Sequence, residues 1–354
     1  MKSHLLLDTL RDPSRALAFS TAEWETWLAF GRRTRLTAHF ANVMETHGLI
    51  HHIPARVWNH LEAGRIFADY RNRLIRWEMN RIEWVTRHTD IEIILLKGGA
   101  YLLLDLPHAK GRLPADLDLL VTRGQLDTME EILREGGWKT TKLDDYDQRY
   151  YREWMHEIPP LRHPERRIEV DVHHALLPLT ARLHADPERL WSMSKAVGNS
   201  RFKVLAPEDM TLHAVVHLFY DSDFDHRLRD LVDIDALIRH YSAQDAGFTE
   251  RVREHAEVLG LQRPWEYALH FCHSMLGTPT FPLRSLQAKG STVALTMMEY
   301  LVPRALLPDS VGRPSRINAL ARWLLYVRSH YLRMPLRLLI PHLLRKALKK
   351  NSVI

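Results

Sequence analysis

The chain has 354 residues, 45% of them hydrophobic and 26% charged, a composition that fits a soluble globular protein and excludes a fibrous or disordered chain. Its single cysteine, Cys272, excludes an internal disulfide and a cysteine-based zinc finger, and it fits a reducing compartment. The formal net charge is +6, and because ~150 residues make a domain, the length predicts two or three structural units.

The first third of the chain is predicted to be helical. Apolar residues recur at helical spacing through residues 14–90, with a break between Gly48 and Pro54. We therefore expect an N-terminal helical region over residues 1–90.

The pattern changes at residue 91. The apolar run Ile91 to Leu96 predicts a buried strand, and Leu117 to Val121 predicts a second. The other predicted elements are a helix over 100–106, a helix over 125–135, a strand over 138–143 and a hairpin of 155–161 with 166–173. Residues 91–205 are therefore predicted to form an α/β core.

Helical patterns return at Pro207, which is followed by two acidic residues, as is typical of a helix start. Residues 206–309 are predicted to form a C-terminal helical domain. Residues 310–354 are predicted to form a basic amphipathic tail of short helices, which Pro335 and Pro341 interrupt.

The tail carries the excess positive charge of the chain. No acidic residue follows Asp309, whereas ten lysines and arginines do, so the preceding residues carry a net negative charge. This distribution argues against nucleic acid as a partner. Two interpretations of the tail stay open. It packs on the body with its cations in water, or residues 311–354 contact an anionic membrane surface.

The compartment is predicted from the same sequence features. The start of the chain holds too short an apolar run for a signal peptide, and no uncharged apolar stretch approaches the ~18 residues of a membrane span. We expect a cytoplasmic protein, with peripheral contact at the inner membrane face as the open alternative.

Acidic residues alternate with apolar ones in two predicted strands. Asp116 and Asp118 point to the same side of one strand, as do Glu169, Asp171 and His173 on another. If the strands are neighbours, Asp116, Asp118 and Asp171 can surround one or two Mg²⁺ ions, since Mg²⁺ combines a few carboxylates with phosphate oxygens. The alternative is a set of exposed acids at strand ends, and whether Glu169 or Asp171 faces the metal stays open.

A glycine turn precedes these acids. Gly98 and Gly99 follow the first predicted strand and allow a phosphate to approach the backbone closely. Lys97 or Arg112 can add charge-assisted contacts to the same phosphates. Glycines, cations and carboxylates together predict metal-assisted phosphoryl or nucleotidyl transfer.

These motifs occur in one order along the chain. They are Leu95-Leu96-Lys97-Gly98-Gly99-Ala100, Arg112, Asp116-Leu117-Asp118-Leu119-Leu120-Val121, His156-Glu157-Ile158-Pro159 and Glu169-Val170-Asp171-Val172-His173. The combination resembles the uncharacterised nucleotidyltransferase family, a branch of the polymerase-β-like nucleotidyltransferase superfamily. The resemblance covers roughly residues 20–240.

The resemblance implies an α+β fold, with a small mixed β-sheet nucleotidyltransferase core flanked by N-terminal and C-terminal helical regions. It implies that Asp116 and Asp118 bind Mg²⁺ with a nucleoside triphosphate such as ATP. It also implies that Asp171 is the third ligand and a possible base, and that Gly98 and Gly99 contact the triphosphate.

His173 lies beside Asp171 in sequence and is predicted to orient it or to touch the nucleotide. The alternative for His173 is a histidine of the sheet with its hydrogen bonds satisfied.

The leading hypothesis is a magnesium-dependent nucleotidyltransferase that moves a nucleoside monophosphate from a nucleoside triphosphate to an acceptor hydroxyl. The acceptor is unknown, and we expect a small molecule, a glycan precursor or a protein. The alternative is a non-catalytic accessory protein of a biosynthetic cluster that binds nucleotide or docks on a membrane. A toxin-like transferase that modifies tRNA or protein is a third hypothesis, and the acidic body argues against tRNA.

Overall fold

The computed structural model describes residues 4–140, 145–183, 187–220, 223–279, 292–310 and 312–341. The N-terminal region folds into helices, as predicted. They are α1 (His4–Arg11), α2 (Thr21–Arg33), α3 (Thr37–Thr46) and α4 (Ala55–Thr86). A capping box between Ser20 and Glu23 starts α2.

The middle of the chain alternates strands and helices. Its elements are β1 (Ile93–Leu95), α5 (Lys97–Leu103), β2 (Asp116–Leu120), α6 (Leu126–Glu135), β3 (Lys139–Thr140), α7 (Asp145–Trp154), β4 (Leu161–Arg162), β5 (Glu169–His173), α8 (Pro187–Met193), β6 (Lys195–Ala196) and β7 (Phe202–Val204). Within the described residues the strands form one sheet, in the order β3-β4-β5-β2-β1-β7-β6.

The sheet is mixed. β1 runs antiparallel to β2 and parallel to β7, and β2 runs parallel to β5. A small mixed sheet flanked by helices on its N-terminal and C-terminal sides is the α+β fold that the sequence predicts, so the fold class is confirmed. The domain boundaries after residues 90, 205 and 309 stay predictions.

The hairpin around residue 164 is shorter than predicted. Of the predicted strand 155–161, Leu161 belongs to β4, which pairs antiparallel with β5. Glu157 forms a single antiparallel bridge with His173. In the predicted strand 138–143, Lys139 and Thr140 form β3, and residues 141–143 lie outside the described residues.

The C-terminal region is helical. Its helices are α9 (Pro207–Tyr220), α10 (Leu228–Gln244), α11 (Phe248–Val258), α12 (Gln262–Phe271), α13 (Thr292–Leu306) and α14 (Arg316–Arg333), and a π-helical turn, Cys272–Leu276, follows α12. Nearly every side chain of α9 is buried, because α9 contacts α5 on the sheet side and α10, α11, α12 and α14 on the other.

The predicted tail divides into a described and an undescribed part. α14 has 18 residues and ends before Pro335, as the proline predicts. It packs against α13 and α9, which agrees with a tail packed on the body, and residues 342–354 lie outside the described part of the chain. Among the described helices, none combines the length and the hydropathy that a membrane span requires.

Candidate active site

A cleft of about 200 Å³ lies between the sheet and α9. The sheet-side wall carries most of the charged groups, namely Lys97, Asp116, Asp118, Glu157, Asp171 and His173. The helical wall carries His213, His217, Tyr220, Arg227 and Arg333. The structure therefore brings the three predicted aspartates, Lys97 and His173 to one place.

The register of β2 and β5 places the carboxylates side by side. Asp118 is the direct partner of Asp171, and Asp116 is the partner of Glu169. Neighbouring strands lie about 4.8 Å apart, so Asp118 and Asp171 share one face at close range. Asp171 lines the cleft, whereas Glu169 is not among the lining residues.

Asp118 has two partners in the cleft. Lys97 Nζ lies 2.7 Å from its Oδ1, and His173 Nε2 lies 3.1 Å from the same oxygen. Burial alone would raise the pKa of Asp118, but Lys97 and His173 outweigh burial and hold this pKa well below its usual range. His173 therefore contacts Asp118, and its predicted role, to orient Asp171 or to touch the nucleotide, stays a prediction.

Lys97 is held among negative charges. Burial alone would lower the pKa of its ammonium group, but Asp118, Asp116 and Asp171 raise this pKa above the ordinary value. Its backbone has a φ of 42°, in the left-handed region that non-glycine residues rarely adopt. The strained backbone accompanies the contact between Lys97 and Asp118, as local strain often does at functional sites.

Asp171 forms no ion pair within 4 Å among the described residues, although Lys97 lies close enough to act on its charge. Its Oδ1 is buried and makes no hydrogen bond with any described residue. Burial and the nearby charges of Asp118, Glu157 and Asp116 raise the pKa of Asp171 well above its usual range. A buried carboxylate oxygen without a donor, next to two further acids, fits a site for a divalent cation.

A second group of metal-ligand atoms lies beside the aspartates. His156, Glu157 and His173 place these atoms within 4.8 Å of one another. His173 Nδ1 lies 3.5 Å from Glu157 Oε2, and burial raises the pKa of Glu157. The sequence alone predicts no role for Glu157. The feature that could have identified it is the hairpin, in which residue 157 lies opposite His173.

The glycine turn packs against the protein interior. A Cβ atom on Gly98 would lie 2.3 Å from Arg112 Nη1, and one on Gly99 would lie 2.8 Å from Leu117 Cδ1. Arg112 is buried, its Nε lies 2.8 Å from Asp233 Oδ2 on α10, and it is not among the residues that line the cleft. Close packing is therefore one physical reason for both glycines.

The helical wall presents two histidines one turn apart, His213 and His217, to the cleft. Burial, followed by the charge of Lys97, lowers the pKa of both. Arg227 Nη1 lies 3.1 Å from His217 Nδ1 and 2.9 Å from Asp230 Oδ2. The wall that faces the carboxylates thus combines neutral imidazoles with a cation.

Comparison with known proteins gives one match. The model of a family described as uncharacterised nucleotidyltransferase matches residues 20–277. Neither the curated proteins nor the solved structures contain a match to this chain.

Proposed function

The chain belongs to the uncharacterised nucleotidyltransferase family, and from this premise we propose that it moves a nucleoside monophosphate from a nucleoside triphosphate to an acceptor hydroxyl with the help of Mg²⁺. The observation that carries the proposal is the pairing of Asp118 with Asp171 across neighbouring strands, at a cleft where one oxygen of Asp171 has no donor among the described residues.

Asp116, Asp118 and Asp171 would hold the metal. All three line the cleft. The buried Oδ1 of Asp171 has no hydrogen-bond partner among the described residues, and a bound cation would satisfy it. When bound, Mg²⁺ would neutralise phosphate charge and lower the pKa of an attacking hydroxyl.

Cations of this chain would contact the triphosphate. Lys97, Arg227 and Arg333 line the cleft from three separate parts of the chain. Arginine suits phosphate because its donors match two oxygens at once. The predicted backbone contacts of Gly98 and Gly99 stay predictions. For Arg112 we propose a positioning role, through its ion pair with Asp233 and its packing on Gly98.

The proposed reaction is a nucleophilic substitution at the α-phosphorus. The acceptor oxygen forms a bond to the α-phosphorus, the bond to the pyrophosphate oxygen breaks, and pyrophosphate leaves. We assign to Asp171 the removal of the hydroxyl proton, since it lines the cleft and its buried Oδ1 has no hydrogen-bond partner among the described residues. The acceptor class stays open among a small molecule, a glycan precursor and a protein.

The experiment is label transfer from α-labelled nucleoside triphosphates in the presence of Mg²⁺ and a cell extract, with pyrophosphate release measured in parallel. We expect Asp118→Asn and Asp171→Asn each to lower transfer at least a hundredfold. Asp127→Asn, at an exposed position of α6, is the matched control and should retain full activity. Circular dichroism would verify that each variant is folded.

Two outcomes would contradict the proposal. Label transfer that persists in the double variant Asp118→Asn, Asp171→Asn would remove the assigned site. Mg²⁺-dependent nucleotide binding by calorimetry, with no turnover on any acceptor fraction, would favour the non-catalytic accessory protein.

A further inference from the structure

α14 exposes large apolar side chains on the side that faces away from the protein. Its outer face consists of Ile317, Leu320, Trp323, Leu324 and Tyr331, which are between 37% and 58% exposed. These residues lie on one side of the helix, because their spacing follows the helical repeat. The opposite side, with Ala321, Leu325 and Ser329, is buried in contact with the helices α13 and α9.

This arrangement differs from an ordinary surface helix. A terminal helix that only covers the core has one apolar stripe, and its other side is polar. α14 has an apolar stripe on each side, and one of them faces solvent. An exposed apolar patch on one face of a helix marks an interaction surface.

The surroundings of the outer face are positively charged. Arg313, Arg316 and Arg337 are exposed near its two ends. The acidic residue that precedes the helix, Asp309, is buried, and its Oδ2 lies 2.7 Å from Arg322. No acidic residue follows Asp309 in the sequence, and Asp225, the other acid that forms an ion pair with Arg322, lies 3.8 Å from it.

We propose that the outer face of α14 docks on an anionic membrane surface. Leu and Ile side chains would enter the boundary between headgroups and acyl chains, Trp323 and Tyr331 would lie at headgroup level, and the arginines would contact lipid phosphates. Each arginine near an anionic surface strengthens the attraction to it. Positive charge at both ends of an exposed apolar face is the pattern of a helix that lies on an anionic lipid surface.

Docking would hold α14 at the membrane surface. Arg333, the last residue of α14, lines the cleft, so the helix that carries the outer face also forms part of the cleft wall. This inference does not depend on the proposed transfer reaction, since it concerns the opposite side of α14.

The experiment is co-sedimentation of the full chain with vesicles of neutral phosphatidylcholine, alone or mixed with about one third phosphatidylglycerol, near physiological salt. We expect at least tenfold stronger binding to the anionic vesicles. Trp323→Ser with Leu324→Ser should lower that binding at least fivefold, and Arg313→Gln with Arg316→Gln should lower it and reduce its salt dependence. Phe67→Ser with Trp77→Ser, at comparably exposed positions of α4, is the matched control.

Thermal melting would verify that the variants are folded, as expected for changes at exposed positions. Equal binding to neutral and anionic vesicles, or no binding to either, would overturn the proposal. So would full anionic binding by the variant Trp323→Ser, Leu324→Ser, or a loss of equal size in the α4 control.

Discussion

The ammonium nitrogen of Lys97 lies 2.7 Å from Oδ1 of Asp118, and both side chains are largely buried in the wall of the cleft. The protein therefore carries a cation of its own directly beside the carboxylates that we assign to the metal. A buried ion pair of this kind is sensitive to the loss of one partner, because the remaining charge stays in a poorly solvated place.

Replacing Lys97 with methionine should destabilise the fold. Asp118 would lose its nearest counter-charge, and removal of one partner from a buried pair costs about 3–5 kcal/mol. The measurement is the free energy of unfolding in urea, with EDTA and then with Mg²⁺. If the aspartates hold Mg²⁺, the ion should restore part of the loss.

The matched control for Lys97→Met is Arg253→Met, because Arg253 pairs with Glu250 at an exposed position. Exposed pairs contribute about 0–1 kcal/mol, so this change should be small. Equal losses in the free energy of unfolding for Arg253→Met and Lys97→Met would show that the buried pair contributes no more to stability than an exposed one.

Gly98→Ala tests the packing of the glycine turn. The added Cβ would clash with Arg112 Nη1, and a shift of the buried Arg112 would disturb its ion pair with Asp233. Overpacking of this kind costs about 1–3 kcal/mol. The loss should appear in urea unfolding without any nucleotide present. Gly124→Ala, where an added Cβ meets no atom within 4 Å, should be nearly neutral. An unchanged stability for Gly98→Ala would show that packing against Arg112 does not require a glycine at this position.

Local patterns account for the elements that build the centre of the sheet. The apolar run before Lys97 predicts β1, and the alternation of acids with leucines predicts β2, because both signals lie within a few residues. β3 and β4 have two residues each, and strands this short are defined by their pairing with a neighbouring strand. Their extent depends on tertiary contacts that a local pattern does not contain.

The residues of the candidate site also differ in whether a local sequence pattern predicts them. Asp116, Asp118 and Asp171 are recognisable because alternation on strands places acids on one face. Arg112 pairs with Asp233, 121 positions further along the chain, and no local sequence pattern near Arg112 predicts this pair. Arg333 reaches the cleft from a helix beyond residues 20–277, so the family resemblance does not include it.

Arg333→Gln should weaken nucleotide binding. Arg333 is buried at the cleft wall, with Nη2 3.6 Å from Met155 Sδ, and its charge is one of three cations that we assign to the phosphates. A hydrogen bond to a charged group contributes about 1.5–3 kcal/mol, so the dissociation constant for the nucleoside triphosphate should rise roughly tenfold or more. Calorimetry measures this constant directly.

Arg316→Gln, at an exposed position of the same helix, is the matched control for Arg333→Gln and should leave nucleotide affinity unchanged. Thermal melting distinguishes lost affinity from lost fold. If both variants bind the nucleoside triphosphate with the dissociation constant of the parent protein, Arg333 does not contribute to phosphate binding.

His108 should make stability depend on pH. Burial lowers the pKa of His108 from 6.5 to about 4, with Asp233 opposing this shift and Arg112 adding to it. Between these two pH values the unfolded chain binds a proton that the folded chain does not. Stability should therefore fall as the pH drops from about 6.5 to about 4, and at about 1.4 kcal/mol per pH unit the total is roughly 3 kcal/mol.

His108→Phe should remove this contribution while it keeps a ring against Tyr101, whose centroid lies 4.7 Å from that of His108. Urea unfolding of both proteins from pH 7.5 to pH 4.5 gives the difference in free energy as a function of pH. We expect the parent protein to lose more stability on acidification than the variant, since the phenylalanine cannot take up a proton. His226→Phe, at an exposed histidine, controls for the loss of an imidazole as such. Parallel profiles for the parent protein and His108→Phe would mean that the folded chain accepts the proton at His108 as readily as the unfolded one.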